Sequence, residues 1–220
     1  RELIKEHYPW FLETYDSYDI DIKRIYASHA FRLHRYGGVY ADLDTELVRD
    51  PQPLFAGGAD LVFFLSRQLR FGRLERPDKF RGMGDVSNAL MASAPGHPFW
   101  LYFAERMMNA TADMVELKKK ELDHVWGYKY KDIMWGTGSS LLSDSIIDYK
   151  VLNPDAKIVL YGNENWAPFK LSDAANSCEG PKACLARYPA AFLVHHWTSS
   201  WAQCKPGTCL PGHKAGHRPK

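Results

Sequence analysis

The stretch from residue 35 to residue 44, with the sequence RYGGVYADLD, constrains the fold of this chain more than any other. The residues before it, 21–36, carry apolar side chains at roughly helical spacing, which predicts a helix that Gly37 and Gly38 end. Residues 39–42 then have the β-branched and aromatic character of a short buried strand. A helix, a double-glycine turn and a strand ending in two aspartates are therefore predicted in immediate succession.

Asp42 and Asp44 are the residues of this stretch most suited to binding chemistry. In an extended segment, side chains two residues apart point to the same face, so both carboxylates can reach one point past the strand. Such a pair suits Mg²⁺ or Mn²⁺, which keep open positions for water and phosphate oxygens. Tyr40 adds a ring and a hydroxyl on that face, and Gly37 with Gly38 lets a ligand or another backbone segment come close. Alternatively, the aspartates only cap the strand, since Asp is a common turn residue.

The rest of the chain alternates predicted helices and strands. Beyond residues 21–42, the predicted elements are short helices in 1–18, helices in 99–122 and 141–147, strands in 60–65, 87–92, 158–161 and 190–195, and a long irregular loop in 66–84. This alternation favours an α/β architecture with a partly parallel sheet. His97 is expected to be a turn residue before the long helix.

Composition narrows the function classes. A chain of 220 residues with 45% hydrophobic content can bury the core of one α/β domain. A net charge of only +2 indicates no nucleic-acid partner. No apolar run approaches the roughly 18 residues of a membrane-spanning helix. Because the chain opens at Arg1 without an initiator Met, we expect a fragment of a longer protein, and membrane association through a segment outside these residues stays open.

The cysteines fall in two close pairs, Cys178 with Cys184 and Cys204 with Cys209. These pairs predict disulfide bridges and hence an oxidising, secretory-pathway compartment. Zinc binding is the alternative, although neither pair has the CxxC spacing of a closed zinc site. We expect one domain over residues 1–203 and a basic, Pro- and Gly-rich tail over residues 204–220, which has little apolar surface to bury.

The complete string of residues 35–44, followed by a proline-flanked loop, resembles the signature of the DXD-containing glycosyltransferase sugar-binding family. That family includes fungal initiating α-1,6-mannosyltransferases and inositol phosphoceramide mannosyltransferases. Further elements similar to the family's follow in order, at residues 85–99, 135–138 and 195–201. The resemblance implies a GT-A-like, Rossmann-related fold with a mixed sheet between helices, from which the family's first strand and base pocket are absent.

The resemblance also implies roles for individual residues. Asp44 would bind the metal directly, with Asp42 near the donor ribose and sugar, and Asn88 near the transferred sugar; alternatively, Asn88 only satisfies buried backbone groups. The resemblance also implies Tyr40, Ser200 and Trp201 as donor-binding residues, and Gly38, where a ligand can come close, is expected to join them. A histidine would join Ser200 and Trp201 over metal and diphosphate.

Two adjacent histidines, His195 and His196, are available for that position, and they lie on opposite faces of a strand. Phe192 and Val194 share the strand face of His196, so a polar side chain on this otherwise apolar face needs a polar partner. We therefore expect His196 to face the metal.

The activity that the resemblance implies is a metal-dependent, retaining transfer of a hexose, with mannose favoured, from GDP-mannose or a UDP-hexose to a glycan or glycolipid in the Golgi lumen. The family has an Asp and an Arg three residues apart on the helix before the double glycine, and the aligned positions here are Tyr26 and His29. This departure supports an alternative, an inactive or weak nucleotide-sugar- or carbohydrate-binding domain. A phosphotransferase with an aspartate nucleophile is disfavoured, because its later Lys and acidic motifs have no counterpart.

Overall fold

The structure, a computed structural model, describes residues 1–66, 86–110, 128–169 and 177–197. Its helices are α1 (Glu2–His7), α2 (Leu12–Ser17), α3 (Asp21–Tyr36), α4 (Gln52–Phe55), α5 (Phe99–Met108), α6 (Tyr128–Gly136), α7 (Ser139–Leu152) and α8 (Pro181–Arg187), with 3-10 turns at Pro9–Phe11 and Asn163–Asn165. Its strands are β1 (Gly38–Ala41), β2 (Thr45–Leu47), β3 (Leu61–Leu65), β4 (Val86–Ser93), β5 (Ile158–Tyr161) and β6 (Leu193–His195).

The strands form two sheets. The larger has the order β1-β4-β3-β5, in which β3 and β5 are parallel and the other two pairs are antiparallel. The smaller sheet consists of β2 and β6, which run antiparallel. A mixed sheet flanked by helices confirms the predicted α/β class with a partly parallel sheet, and it is consistent with a GT-A-like fold.

Strand β3 lies in the interior of the larger sheet, and all five of its residues are buried. Its alternate side chains enter different clusters, as the period of a strand requires. Phe63 packs in the cluster that contains Phe31 of α3 and Phe99 of α5. Val62 and Phe64 pack on the other side, with Trp166 and Leu193. The sheet is therefore covered on both faces, which explains the continuous apolar run of β3.

Most of the elements predicted from periodicity are confirmed. Helix α3 occupies residues 21–36 as expected, and strands β3, β5 and β6 lie within the predicted stretches. Strand β1 begins and ends one residue earlier than predicted, and β4 extends one residue beyond its predicted stretch at each end. The prediction that β1 is buried was wrong: it is an edge strand of its sheet, and Val39 is 54% exposed. Helix α5 ends at Met108 rather than near residue 122, and α7 is longer than predicted. Strand β2 and helices α4, α6 and α8 were not predicted.

The double-glycine turn fixes how α3 meets the sheet. Gly37 has a φ of +63°, and a Cβ at this position would lie 2.6 Å from the backbone nitrogen of Pro95. The turn after β4 also packs on the end of α3, where the Gly96 N–H donates to the His34 carbonyl at 2.6 Å. The expected close approach of a backbone segment at the double glycine is thus that of Pro95.

The predicted disulfide between Cys178 and Cys184 is present. The second pair, Cys204 and Cys209, lies outside the described residues, as do the tail at residues 204–220 and all but Ser66 of the loop predicted at residues 66–84. Within the described part of the chain, no helix combines the length and apolar character needed to cross a membrane.

Candidate functional site

The loop between β1 and β2 carries both aspartates. The Asp42 N–H donates to the Ala89 carbonyl at 2.8 Å, which continues the pairing of β1 with β4 by one residue. The Thr45 N–H then donates to the Asp42 carbonyl at 3.0 Å and closes a tight turn. These two backbone bonds fix the positions from which the carboxylates of Asp42 and Asp44 project.

Strand β6 brings His195 to the two aspartates. His195 pairs with Thr45 across the small sheet, directly after the turn. Its Nε2 lies 3.2 Å from Oδ1 of Asp44 and 3.8 Å from Oδ2 of Asp42. The three side chains each offer one ligand atom, and these atoms lie within 4.8 Å of one another. The turn and the two strands thus assemble a cluster of two carboxylates and one imidazole.

The chemistry of this cluster fits a divalent cation. His195 is only 5% exposed, and its Nε2 has no hydrogen-bond partner among the described residues although it points at two carboxylates. Buried polar atoms normally have a partner, so a nitrogen of this kind indicates a bound ligand or a hydrogen bond to one of the carboxylates. The two carboxylates suit Mg²⁺ or Mn²⁺, and an imidazole nitrogen is a ligand more typical of transition-metal ions than of Mg²⁺. Asp42 and Asp44 remain the predicted metal ligands, and His195 joins them.

The side chain of His196 does not join the two carboxylates, contrary to the sequence-based expectation. Its Nε2 is 3.0 Å from Oε2 of Glu46, and its backbone N–H donates to the Asp44 carbonyl at 2.9 Å. Val194, which shares its strand face, packs in the cluster that contains the Cys178–Cys184 disulfide. The polar partner expected for His196 on this face is present, but it is Glu46 rather than the metal site. Strand parity separates the two histidines onto opposite faces, but it does not tell which face meets the aspartates.

Tyr40 supports Asp42. Its hydroxyl donates to Oδ1 of Asp42 at 2.7 Å. Burial, together with this hydrogen bond to Asp42, holds the pKa of the Tyr40 hydroxyl well above its usual value, so the group stays protonated and remains a donor. Oδ2 of the same carboxylate is the oxygen nearer to His195.

Helix α3 presents aromatic side chains to this part of the site. The ring of His29 lies 3.7 Å from that of Tyr40, centroid to centroid, and 5.9 Å from that of Tyr26. Burial lowers the pKa of His29 to about 4, so its imidazole is neutral near neutral pH. The two positions at which the family resemblance implies an Asp and an Arg therefore carry Tyr26 and a neutral His29, and the imidazole of His29 packs on Tyr40.

A cavity of about 220 Å³ opens beside Tyr40. Its lining residues are His29, Arg32, Leu33, Tyr36, Gly37, Val39 and Tyr40. The adjacent Gly38 has a φ of +86° and open space around the position of an added Cβ. This space is compatible with the predicted role of Gly38 in donor binding.

Asn88 lies on β4, next to the residue whose carbonyl accepts the Asp42 N–H. Its side-chain Nδ2 is buried and has no hydrogen-bond partner in the described ranges, so this nitrogen does not satisfy backbone groups there. Its place near the transferred sugar stays a prediction. His97 is a turn residue, as expected, and its Nδ1 accepts the Phe99 N–H at 3.2 Å. Ser200 and Trp201 lie outside the described residues.

The chain is similar in sequence to known proteins. The family described as "Glycosyltransferase sugar-binding region containing DXD motif" matches residues 1–58. The mannosyl phosphorylinositol ceramide synthase SUR1 of Saccharomyces cerevisiae is 36% identical over 149 residues, which is 68% of this chain and 31% of that protein. The inositol phosphoceramide mannosyltransferase 3 of Schizosaccharomyces pombe is 27% identical over 206 residues, 90% of this chain and 48% of that protein.

An uncharacterized glycosyltransferase of Acanthamoeba polyphaga mimivirus is 25% identical over 203 residues, 92% of this chain and 66% of that protein. The chain thus spans about a third of the length of the first relative and about half that of the second. No solved structure matches it at a significant level.

The fold and the aspartate turn are of the glycosyltransferase type. Because the family matches residues 1–58 and a relative is 36% identical over 68% of the chain, the chain belongs to the glycosyltransferase sugar-binding family that contains the DXD motif.

Proposed function

We propose that this chain carries the catalytic domain of a divalent-metal-dependent, retaining glycosyltransferase that transfers mannose from a nucleotide-sugar to a glycolipid or glycan. The observation that carries the proposal is the convergence of Asp42, Asp44 and His195 at one point. Two of the yeast relatives are a mannosyl phosphorylinositol ceramide synthase and an inositol phosphoceramide mannosyltransferase, which favours mannose and a glycolipid acceptor. The donor is GDP-mannose or a UDP-hexose, with GDP-mannose favoured by the choice of mannose.

The three side chains would hold Mn²⁺ or Mg²⁺. When bound, such a cation neutralises the negative charge that builds on the leaving diphosphate. The protein positions the ligands before the donor arrives: the backbone bonds of Asp42 and Thr45 fix the turn, and the register of β6 delivers His195. Tyr40 donates to one oxygen of Asp42, which orients that carboxylate.

The remaining polar groups would recognise the donor. Gly38 leaves space beside the site, and the buried amide of Asn88 can donate to a sugar hydroxyl. We assign no nucleophilic residue, in keeping with retention by front-face attack as the family resemblance implies. Residues 1–203 are the proposed domain, with Ser200 and Trp201 as further donor-binding residues.

The proposed location is the secretory pathway, in the Golgi lumen. The Cys178–Cys184 disulfide supports an oxidising compartment. The glycolipid acceptor proposed above would be presented at a membrane surface there.

The presence of Tyr26 and of a neutral His29 that packs on Tyr40 favours a second candidate, a nucleotide-sugar-binding domain with little or no activity. A buried, neutral imidazole that packs against Tyr40 does not offer the charge-assisted hydrogen bonds to sugar hydroxyls that a guanidinium gives. The metal cluster would then serve binding alone.

Calorimetry and a turnover assay on the same protein separate these candidates. GDP-mannose and UDP-hexoses are titrated into the chain with and without Mn²⁺, alongside a transfer and hydrolysis assay with inositol phosphoceramide as acceptor. The glycosyltransferase proposal predicts Mn²⁺-dependent binding and turnover of GDP-mannose, both lost in Asp44→Ala. Binding without turnover would support the second candidate, and absence of metal-dependent binding would contradict both.

A further inference from the structure

In the described part of the chain, the second ring nitrogen of His195, Nδ1, has no polar support. Metal-binding histidines usually donate that N–H to a carboxylate or carbonyl, which fixes the orientation of the ring. Nδ1 of His195 is buried, yet it has no hydrogen-bond partner among residues 1–66, 86–110, 128–169 and 177–197. Within the described part of the chain, the contacts that hold the ring of His195 toward Asp44 are therefore packing contacts rather than a hydrogen bond to Nδ1.

Two indoles surround this imidazole. The ring of Trp197 lies 4.4 Å from that of His195, centroid to centroid, at an interplanar angle of 76°. The ring of Trp166 lies 5.3 Å away at 60°. The two indoles are themselves 6.0 Å apart. The Trp197 contact is edge-to-face and the Trp166 contact is tilted, and aromatic contacts at these distances are favourable, so the two indoles together restrict rotation of the enclosed ring.

Both indoles are anchored independently of His195. Nε1 of Trp166 donates to the Leu65 carbonyl at 2.8 Å, and Nε1 of Trp197 donates to the Phe169 carbonyl at 2.8 Å. Trp166 is completely buried, and its own carbonyl accepts the His195 N–H at 2.9 Å. The walls around the imidazole are thus fixed to β3 and to the segment after β5, and not only to β6.

The backbone of Trp197 adds a separate observation. Its φ of +54° is the only positive φ at a non-glycine residue within the described residues. A bulky side chain rarely adopts this conformation, which persists only where the surroundings enforce it and which is concentrated at functional sites. The residue with this conformation is also the one whose indole contacts the imidazole two positions earlier.

We infer that Trp197 and Trp166 are positioning residues that clamp the imidazole of His195 with Nε2 toward Asp44 and Asp42. This inference rests on the proposed metal-binding function. An imidazole held by aromatic packing is pre-organised for the cation, so loosening the clamp lowers metal affinity without removing a ligand. Trp197 is the better residue to test, because Trp166 is also part of the core.

The first test measures Mn²⁺ affinity by electron paramagnetic resonance for Trp197→Leu, Trp197→Phe and the control Trp10→Leu, which changes a tryptophan that is 45% exposed. Trp197→Leu should bind Mn²⁺ about tenfold more weakly, the lower end of the range for residues that orient metal ligands. Trp197→Phe should retain most of the affinity, and Trp10→Leu all of it. Equal affinity of Trp197→Leu and wild type would overturn the inference.

A double-mutant cycle distinguishes positioning from a general structural effect. In a His195→Ala background, Trp197→Leu should cause no further loss of Mn²⁺ affinity, because the ring that it positions is absent. An additional tenfold loss in that background would show that Trp197 acts through something other than His195, and would overturn the inference.

The second test requires no metal. Nuclear magnetic resonance of the metal-free chain should show ring protons of His195 displaced by the ring currents of both indoles, and an averaged, broadened signal in Trp197→Leu. Unchanged His195 signals in that variant would overturn the clamp. Failure of wild type to bind Mn²⁺ would instead contradict the proposed function, while the resonance result would still decide whether the indoles hold the ring.

Discussion

Nε2 of His195 lies 3.2 Å from Oδ1 of Asp44. This contact joins the last described strand to the turn after the first, and it exists because β6 pairs with β2 immediately beyond that turn. The candidate metal site therefore depends on the small two-stranded sheet as much as on the aspartate motif. A change that shifts the register of β6 by one residue would present the opposite face of the strand to the aspartates.

The double-glycine turn should tolerate substitution unequally. Gly37→Ala places a Cβ 2.6 Å from the Pro95 nitrogen at a φ of +63°, whereas Gly38→Ala meets only the strain of a φ of +86°. We expect Gly38→Ala to lower the free energy of unfolding by about 1–2 kcal/mol and Gly37→Ala to lower it by a further 1–3 kcal/mol or so. Urea unfolding measures both, and equal losses would contradict the described approach of Pro95.

An ion pair between Lys23 of α3 and Asp132 of α6 should contribute to stability through burial. The two side chains are 10% and 21% exposed. Asp132→Asn leaves the ammonium of Lys23 with the exposed carboxylate of Asp19, 3.6 Å away, as its remaining ion-pair partner among the described residues. Because that exposed partner compensates only weakly, we expect a loss of about 3 kcal/mol in thermal or urea unfolding. The double variant Lys23→Met, Asp132→Leu should recover much of that loss.

A pair on the same helix provides the control. Arg24 and Asp21 form an ion pair at 2.8 Å, but the side chain of Asp21 is 94% exposed. Asp21→Asn should change the free energy of unfolding by less than about 0.5 kcal/mol, since solvent screens exposed pairs. A similar loss for Asp21→Asn and Asp132→Asn would show that burial is not the cause.

His29 should make the fold sensitive to acid. Burial lowers its folded pKa from 6.5 to about 4. Between these values, the unfolded chain takes up a proton that the folded chain does not, so stability falls as the pH falls and levels off below the folded pKa. A shift of this size corresponds to about 3 kcal/mol in the free energy of unfolding.

The His29→Gln variant isolates this contribution. Its unfolding free energy should fall less between about pH 7 and about pH 4.5 than that of wild type, by about 2–3 kcal/mol. Urea unfolding at the two pH values gives this change for each protein. Subtracting the change of the variant from that of wild type cancels the titration of the groups that both proteins share. Parallel pH profiles would contradict a buried, neutral His29.

The larger elements could be predicted because the residues that determine each of them lie within one continuous stretch of sequence. The apolar spacing of α3 and the glycines that end it occur within one stretch, as does the apolar run of β3. Strand β2 has only three residues, and it is a strand through its pairing with β6. Such pairing depends on tertiary contacts that a short segment does not encode by itself.

The part of the site that lies within one short stretch of sequence could be predicted, and the part that depends on strand pairing could not. Asp42 and Asp44 lie two residues apart, so their shared face followed from strand geometry. The choice between His195 and His196 depended on the register of β6 against Thr45, and on Glu46 as the partner of His196, which no local pattern shows. The aromatic stack of His29 on Tyr40 likewise joins residues of different elements.

The most direct test of the metal site is a Mn²⁺ titration, monitored by electron paramagnetic resonance, of wild type, Asp44→Ala, His195→Ala and His196→Ala. The two histidines are neighbours in sequence, but only His195 lies at the aspartates, whereas His196 pairs with Glu46. We predict that Asp44→Ala abolishes binding, that His195→Ala weakens it at least tenfold or so, and that His196→Ala leaves it within about twofold of wild type. Retained binding in Asp44→Ala, or a loss in His196→Ala larger than in His195→Ala, would contradict the account.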